Sequence, residues 1–142
     1  MAIDIDAGLL EDPASLWVAT RRCGTTTTVE LAGEWDLASA PTARRTIAAA
    51  FERPLERLVL DLTRLRFIDS SGLHTCVELA HRSDAERVRL LIIIGARSVW
   101  RPFEICKLTE RLPLVRAASR PADGYAEASR SRSGTSPYGS TR

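Results

Sequence analysis

The longest uninterrupted apolar stretch of this sequence, Leu90–Ile94, is only five residues long. A helix that spans a bilayer needs about 20 apolar residues, so this stretch predicts a buried strand in a soluble protein. A continuous apolar strand needs cover on both faces, as it has inside a parallel sheet with helices packed on it. We therefore expect an α/β fold in which Val88 to Ile94 form the central strand.

Strand and helix patterns alternate along the rest of the chain. Apolar residues recur at every second position where strands are predicted, and at three-to-four-residue spacing where helices are predicted. Strands joined by helices of this length imply right-handed β-α-β crossovers, so we expect an α/β fold with a mixed, mostly parallel sheet, an N-terminal hairpin and helices packed on it. The predicted order is a strand at Leu16–Thr20, a turn at Arg22–Gly24, a strand at Thr25–Glu34, a helix capped by Ser39 and closed by Pro54, a strand at Leu58–Leu62, a helix bearing Leu73, Cys76, Val77 and Ala80, the Val88–Ile94 strand, a helix from Ser98 bearing Val99, Phe103 and Cys106, and an edge strand at Leu112–Val115.

The two ends of the chain differ in composition from the part between them. We predict an N-terminal lead-in at residues 1–14, one domain at 15–116, and a tail at 117–142 that is rich in Ser, Arg, Gly and Pro. The tail almost lacks large aliphatic side chains and cannot offset the entropy of ordering, so we expect it to be disordered. Use of its arginines as a weak electrostatic docking arm is the alternative.

The distribution of charge argues against a nucleic-acid partner. Residues 1–115 carry 15 basic and 16 acidic side chains, while residues 116–142 carry 5 Arg against 2 acids. A nucleic-acid-binding domain clusters its basic residues on one face, whereas here they are interspersed with acids. We therefore expect no nucleic-acid partner for the domain.

The N-terminus and the cysteines both indicate the cytoplasm. Asp4 and Asp6 stand where a secretory signal needs basic residues, and no apolar stretch follows them. The thiols of Cys23, Cys76 and Cys106 are odd in number and form no CxxC pair, so we predict reduced thiols, at least two of them in the core. We expect a cytoplasmic protein with no transmembrane helix and no membrane partner.

The stretch Phe67–Leu73, with the sequence Phe-Ile-Asp-Ser-Ser-Gly-Leu, is the most informative one for function. It runs from a strand end through a turn of small residues into a helix, whose unpaired N–H groups favour negative charge. A phosphate on Ser70 or Ser71 would be well placed there. Plain helix capping by the same residues is an equally good alternative.

Two catalytic alternatives in this region have little support. Asp69, Ser71 and His74 have the side chains of a catalytic triad, yet Gly-x-Ser-x-Gly is absent, and three groups within six residues cannot easily form a relay. We therefore expect no enzyme and assign no catalytic residue. His74 and His81 lie seven positions apart without a third ligand nearby, so we expect no metal site and no cofactor.

A second polar cluster, residues 33–36, follows the second strand of the predicted hairpin. On its own it predicts a turn in which Asp36 or Ser39 caps the next helix. Loops that leave neighbouring parallel strands can converge at one edge of a sheet. If they do so here, Asp36 stands near Asp69 and Ser71.

Residues 15–116 resemble a STAS domain of the anti-sigma-factor antagonist type. The resemblance rests on the order of the elements, on Gly-Glu-Trp-Asp at 33–36, on Leu-Val-Leu-Asp-Leu at 58–62 followed by Phe-Ile-Asp-Ser-Ser-Gly-Leu at 67–73, and on the helix at 98–108. It implies a cytoplasmic binding module that sequesters an anti-sigma factor with serine kinase activity. Binding frees the sigma factor and so regulates transcription.

The resemblance also implies which residues form the switch. Ser71 matches the serine that the kinase phosphorylates and that a PP2C-type phosphatase restores. Asp36 and Asp69 match the acidic positions beside it, and Ser70 and Gly72 complete its environment.

The predicted partner-binding residues are Trp35, Leu73 and His74. Trp35 stands where the family commonly has an aliphatic residue and His74 where it has a small one, which predicts a partner surface of a different shape. The spacing of Leu73 to Val77 favours core packing for Leu73, and Trp35 can equally cover the core. A scaffold module within a larger assembly, in which Ser71 is only a helix cap, is the second functional hypothesis.

Overall fold

The computed structural model describes residues 2–4 and 16–117, which form one sheet of six strands and three helices. The strands are β1 (Ala2–Asp4), β2 (Leu16–Cys23), β3 (Thr26–Trp35), β4 (Arg57–Ile68), β5 (Arg89–Ile94) and β6 (Leu114–Arg116), and the helices are α1 (Ala40–Ala50), α2 (Ser70–Ala85) and α3 (Arg97–Ile105).

The strands lie side by side in the order of the chain, from β1 to β6. The pairs β1–β2 and β2–β3 are antiparallel, and β3–β4, β4–β5 and β5–β6 are parallel. Gly24, with φ of 62°, forms the tight turn between β2 and β3, where a residue with a side chain would be strained. This topology confirms the predicted mixed, mostly parallel α/β sheet with an N-terminal hairpin.

All three helices bury their apolar sides against the same face of the sheet. The core includes Ile47 of α1, Leu79 of α2 and Phe103 of α3 together with alternate strand residues such as Leu31 and Leu60. Trp17, Ala19 and Ala32 form a second, smaller buried cluster. Because Trp17 and Ala19 alternate with core residues along β2, this cluster lies on the opposite face of the sheet.

The structure corrects the predicted place of the apolar strand. β5 is fifth in the sheet, beside the short edge strand β6, and the central strands are β3 and β4. The sequence pattern misled because the central strands bury polar residues. The Glu30 carboxylate pairs with the Arg64 guanidinium, and the Asp61 carboxylate accepts hydrogen bonds from the backbone N–H and the hydroxyl of Thr63.

Further differences concern element lengths and the cysteines. β1 was not predicted, and β4 runs to Ile68, with two register shifts against β3 that interrupt its alternation. The expectation of two core thiols is wrong, since Cys76 is buried while Cys23 and Cys106 are exposed. Cys23 ends β2 at the hairpin turn, and Cys106 follows the last turn of α3, so neither side chain lies on an apolar face.

Most of the predicted lead-in and of the predicted disordered tail lies outside the described residues. Within the described part of the chain, no helix is both long enough and apolar enough to cross a membrane.

Candidate functional site

Two loops meet at one edge of the sheet, where β3 and β4 end. The two strands run parallel and their last pair is Trp35 with Ile68, so the connections to α1 and α2 leave side by side. The Asp69 N–H donates to the Trp35 carbonyl at 3.1 Å, and the Leu37 N–H donates to Asp69 Oδ2 at 3.1 Å. The convergence considered from the sequence is therefore present.

Asp69 is the N-cap residue of α2. Its Oδ1 accepts hydrogen bonds from the backbone N–H groups of Ser71 at 2.9 Å and of Gly72 at 3.4 Å. These are two of the donors that the first turn of a helix leaves without an internal partner. The capping alternative for this segment thus describes its local structure, and the capping residue is the aspartate.

The Asp69 carboxylate is held in its charged form. Burial alone would raise the pKa of Asp69, but the hydrogen bond from the Ser71 hydroxyl and those from the amides of Gly72, Ser71 and Leu37 outweigh it. The pKa therefore lies below its ordinary value of 3.8, because each donor stabilises the ionised form.

Ser71 presents its hydroxyl at this junction. Its side chain is half-buried, and Oγ donates to Asp69 Oδ1 at 2.5 Å. Ser70 is exposed and lies one position closer to the helix end. Of the two serines considered from the sequence, Ser71 is therefore the one whose hydroxyl the site orients.

Gly72 lies where the backbone of α2 crosses the end of β4. A Cβ at this position would be 2.6 Å from Cγ1 of Ile68 and 3.1 Å from Cδ2 of Trp35, which is closer than packed atoms allow. The residue is a glycine because the first turn of α2 sits directly on these side chains, and that contact fixes the height of Ser71 above the sheet edge.

Asp36 lies in the β3–α1 turn, and its carboxylate bonds within that turn. Asp36 Oδ1 accepts from the Ser39 N–H at 3.0 Å and lies 3.1 Å from Ser39 Oγ. Ser39 occupies the N-cap position of α1, but its side chain makes no capping hydrogen bond and instead accepts from the Asp36 N–H at 3.0 Å. The two residues therefore lock the turn, and it is the next residue, Leu37, that reaches Asp69.

The structure corrects two of the three partner-binding candidates. Trp35 is 0% exposed and Leu73 is buried, both within the main core, so neither side chain offers a surface to another protein. Trp35 ends β3 on the helix-covered face, and Leu73 follows the inward stripe of α2. His74, the third candidate, is exposed.

His74 belongs to a charged surface network between α1 and α2. Its Nε2 lies 3.3 Å from Glu78 Oε2, and the other carboxylate oxygen of Glu78 is 3.1 Å from the Arg44 guanidinium. The same guanidinium donates to Thr75 Oγ at 3.1 Å, and the Thr75 hydroxyl donates to the Ser71 carbonyl at 3.0 Å. This network adjoins the serine along the exposed side of α2.

The site does not assemble a catalytic triad. Ser71 Oγ bonds to Asp69, while the imidazole of His74 pairs with Glu78, so the histidine does not orient the hydroxyl as a general base must. Among residues 2–4 and 16–117, no three His, Cys, Asp or Glu side chains are grouped so that they could hold a metal ion.

Leu37 is the feature of the site that sequence patterns missed. Its side chain is 75% exposed, more than any other large apolar residue in the described part of the chain. No periodicity applies to a turn residue, so the sequence gave no basis for assigning it to the surface. The only available signal was its position between Asp36 and the predicted start of α1.

A family model for the STAS domain matches residues 18–119 of the chain. The chain therefore belongs to the STAS domain family, as the sequence motifs predict. A search of curated proteins found no match.

Solved structures of anti-sigma factor antagonists share this fold. One from Mycobacterium paratuberculosis is 22% identical with a TM-score of 0.66, covering 85% of this chain and 99% of that one. SpoIIAA in its unphosphorylated form is 21% identical with a TM-score of 0.62, covering 84% and 99%. The Bacillus cell fate determinant SpoIIAA in its phosphorylated form is 19% identical with a TM-score of 0.57, covering 82% and 98%.

The same fold occurs in a membrane transporter. The murine anion transporter Slc26a9 is 17% identical with a TM-score of 0.57, and the match covers 76% of this chain but 18% of the transporter. Identities this low establish the shared fold alone.

Proposed function

We propose that this protein is an anti-sigma-factor antagonist, a cytoplasmic binding module without enzymatic activity that is switched off by phosphorylation of Ser71. The observation that carries the proposal is the Ser71 hydroxyl, which is half-buried, bonded to Asp69 at 2.5 Å and located at the start of α2 beside an exposed turn. The phosphorylated and unphosphorylated structures of SpoIIAA support it by likeness of fold.

The proposed partner is an anti-sigma factor that is also a serine kinase. In the switching step the kinase transfers the terminal phosphoryl group of ATP to Ser71 Oγ. A bond forms between Oγ and phosphorus, the bond to the leaving ADP breaks, and the hydroxyl proton passes to a base of the kinase. A phosphatase of the PP2C type returns the serine by transferring the phosphoryl group to water, which yields inorganic phosphate.

The effect of the phosphate on binding follows from charge. Phosphoserine adds about −1.5 to −2 charges at neutral pH, and here they would stand beside the ionised Asp69. A partner surface shaped for a neutral hydroxyl next to one carboxylate then meets a bulky dianion, and like-charge contacts across an interface cost several kcal/mol. A loss of about 3 kcal/mol weakens binding more than a hundredfold.

Phosphosite mapping on the protein from its own cells, with phosphatases inhibited, tests the modification. Trypsin releases the peptide from Phe67 to Arg82, which contains Ser70, Ser71 and Thr75, and fragmentation locates the phosphate within it. We expect phosphate on Ser71 at a level that changes with growth conditions. Unmodified peptide under every condition contradicts the proposal.

Binding to each serine-kinase anti-sigma factor encoded in the same genome tests the consequence. We expect Ser71→Ala to bind one of them whether or not ATP is present, and Ser71→Glu to bind it poorly. Ser70→Ala is the matched control, since it removes a neighbouring exposed hydroxyl, and it should still be switched by ATP. Equal affinity of the Ala and Glu variants at position 71 contradicts the switch.

A scaffold role within a larger assembly is the second candidate, and the likeness to the STAS domain of a transporter favours it. Its distinguishing property is an assembly that ignores Ser71. Light scattering of the wild type and of Ser71→Glu would then give the same higher oligomer, whereas the switch hypothesis requires no such assembly.

A further inference from the structure

We propose that Asp69 couples the state of Ser71 to the position of Leu37, so that Leu37 is a fixed apolar anchor for the partner only while Ser71 carries a free hydroxyl. The inference rests on the proposed function, because it concerns the regulation of the same site. Its observations are the two hydrogen-bonded oxygens of one carboxylate and the most exposed leucine of the described surface.

The two oxygens of Asp69 connect two different elements. Oδ1 faces α2, where it accepts from the Ser71 hydroxyl at 2.5 Å and from the Ser71 amide at 2.9 Å. Oδ2 faces the β3–α1 turn, where it accepts from the Leu37 amide at 3.1 Å. The carboxylate is one rigid planar group, so a displacement of Oδ1 also moves Oδ2 relative to Leu37.

Leu37 combines exposure with a fixed backbone. Single exposed leucines are common on protein surfaces, so the 75% exposure of this side chain carries no argument by itself. Its amide, however, is bonded to Asp69, and the turn around it is locked by hydrogen bonds between Asp36 and Ser39. An apolar side chain on a pre-ordered backbone loses little entropy when it enters a partner's pocket, which is the property of an anchor residue.

Phosphorylation removes the reason for Asp69 to stay in place. Once ATP has supplied the phosphoryl group, Ser71 Oγ carries phosphorus in place of its proton and cannot donate to Oδ1. The phosphate oxygens also repel the carboxylate and compete with it for the first amides of α2, which are a favourable site for an anion. Asp69 therefore moves away from Ser71, and the Leu37 amide loses its acceptor.

Solvent exchange of the Leu37 amide, measured by NMR on the full chain, tests the coupling without any partner. In protein with phosphoserine incorporated at position 71 by codon suppression, we expect this amide to exchange about tenfold faster, which corresponds to about 1.4 kcal/mol. The Thr63 amide, which donates to Asp61 Oδ1 at 2.9 Å, makes the same kind of bond elsewhere in the sheet and should not change. Equal exchange at Leu37 in the two forms overturns the coupling.

Asp69→Asn reproduces the loss at Leu37 without a phosphate. The single amide oxygen of asparagine stays with the donors of α2, because asparagine is as good an N-cap as aspartate. Its NH2 group then faces the Leu37 N–H and cannot accept from it. We expect fast exchange at Leu37 with α2 intact, and slow exchange at Leu37 in this variant also overturns the proposal.

Binding to the anti-sigma factor identified above tests the anchor. We expect Leu37→Ala to weaken binding of the unphosphorylated protein about tenfold or more, as truncation of an anchor residue does. Ile105→Ala, which shortens a 67% exposed side chain at the end of α3, is the matched control and should bind as the wild type does.

The results separate this inference from the proposed function. If phosphorylation abolishes binding but Leu37→Ala binds as the wild type does, the switch stands and the anchor is wrong. If the Leu37 amide responds to phosphorylation but partner binding does not, the coupling stands and the proposed function is wrong.

Discussion

Gly72 shows how a single position sets the geometry of the site. The first turn of α2 lies so close to Ile68 and Trp35 that only a hydrogen atom fits at its Cα. Asp69, by contrast, acts through hydrogen bonds that hold two loops together. Packing at one residue and charge at the other place the Ser71 hydroxyl.

The glycine predicts a stability effect. Gly72→Ala adds a methyl group 2.6 Å from the side chain of Ile68, so α2 or the isoleucine must shift. Overpacking of this kind costs about 1–3 kcal/mol, which exceeds what alanine gains in a helix. Urea unfolding measures the difference. Ser70→Ala is the control on the neighbouring exposed position, and an unchanged midpoint for Gly72→Ala would show that the contact relaxes freely.

The lowered pKa of Asp69 predicts a pH dependence with a defined sign. A carboxyl whose folded pKa lies below its unfolded value of 3.8 stabilises the fold above that pH, and this contribution is lost as pH falls through the folded pKa. The stability difference between wild type and Asp69→Ala should therefore be constant near neutral pH and shrink below 3.8. Urea unfolding across this range measures it, and a difference that grows toward acid contradicts the assignment.

At the scale of elements, local patterns predicted type and order well and failed where buried polar groups or loops decide. Alternation and helical spacing located α1, α2, α3 and the hairpin because these elements bury one apolar side. β4 was predicted too short, since Thr63, Arg64 and Arg66 interrupt its apolar pattern. No local rule announces that Arg64 finds its partner Glu30 on β3, 34 positions away.

The candidate site divides in the same way. Asp69 and Ser71 could be predicted because strand end, cap and helix are contiguous in the sequence. Trp35 and Leu37 could not, because burial at the end of a strand and exposure within a turn depend on which elements pack above them. The result is a docking surface centred on different residues from those that the motif alone indicates.

The ion pair between β3 and β4 predicts strong destabilisation when one partner is removed. Glu30→Ala leaves the guanidinium of Arg64, which is 1% exposed, without the carboxylate it bonds to, and such losses cost about 3–5 kcal/mol. The double variant Glu30→Leu, Arg64→Met should be less destabilised than Glu30→Ala, since it removes both charges. Denaturant unfolding compares the three, and a double variant less stable than the single one contradicts the argument.

At the scale of the whole molecule, the three cysteines report on folding. Burial raises the pKa of the Cys76 thiol to about 12, while Cys23 and Cys106 are exposed. Since the thiolate is the reactive form, a maleimide or iodoacetamide reagent should label the two exposed cysteines quickly and Cys76 only when the core opens.

Peptide mapping after timed labelling measures this prediction. In denaturant all three cysteines should react at similar rates, and under native conditions the rate at Cys76 should follow global unfolding. Fast native labelling of Cys76 would show that α2 detaches from the sheet by itself.

The strands lie in the sheet in the order in which they occur in the chain. A ribosome delivers them in that order, so each new strand emerges when its neighbour already exists. The bond between Leu37 and Asp69 joins positions 32 apart, and it forms only after β4 has emerged and paired with β3. A kinase that recognises the assembled edge therefore leaves growing chains unmodified, and every newly made molecule begins its working life in the hydroxyl form.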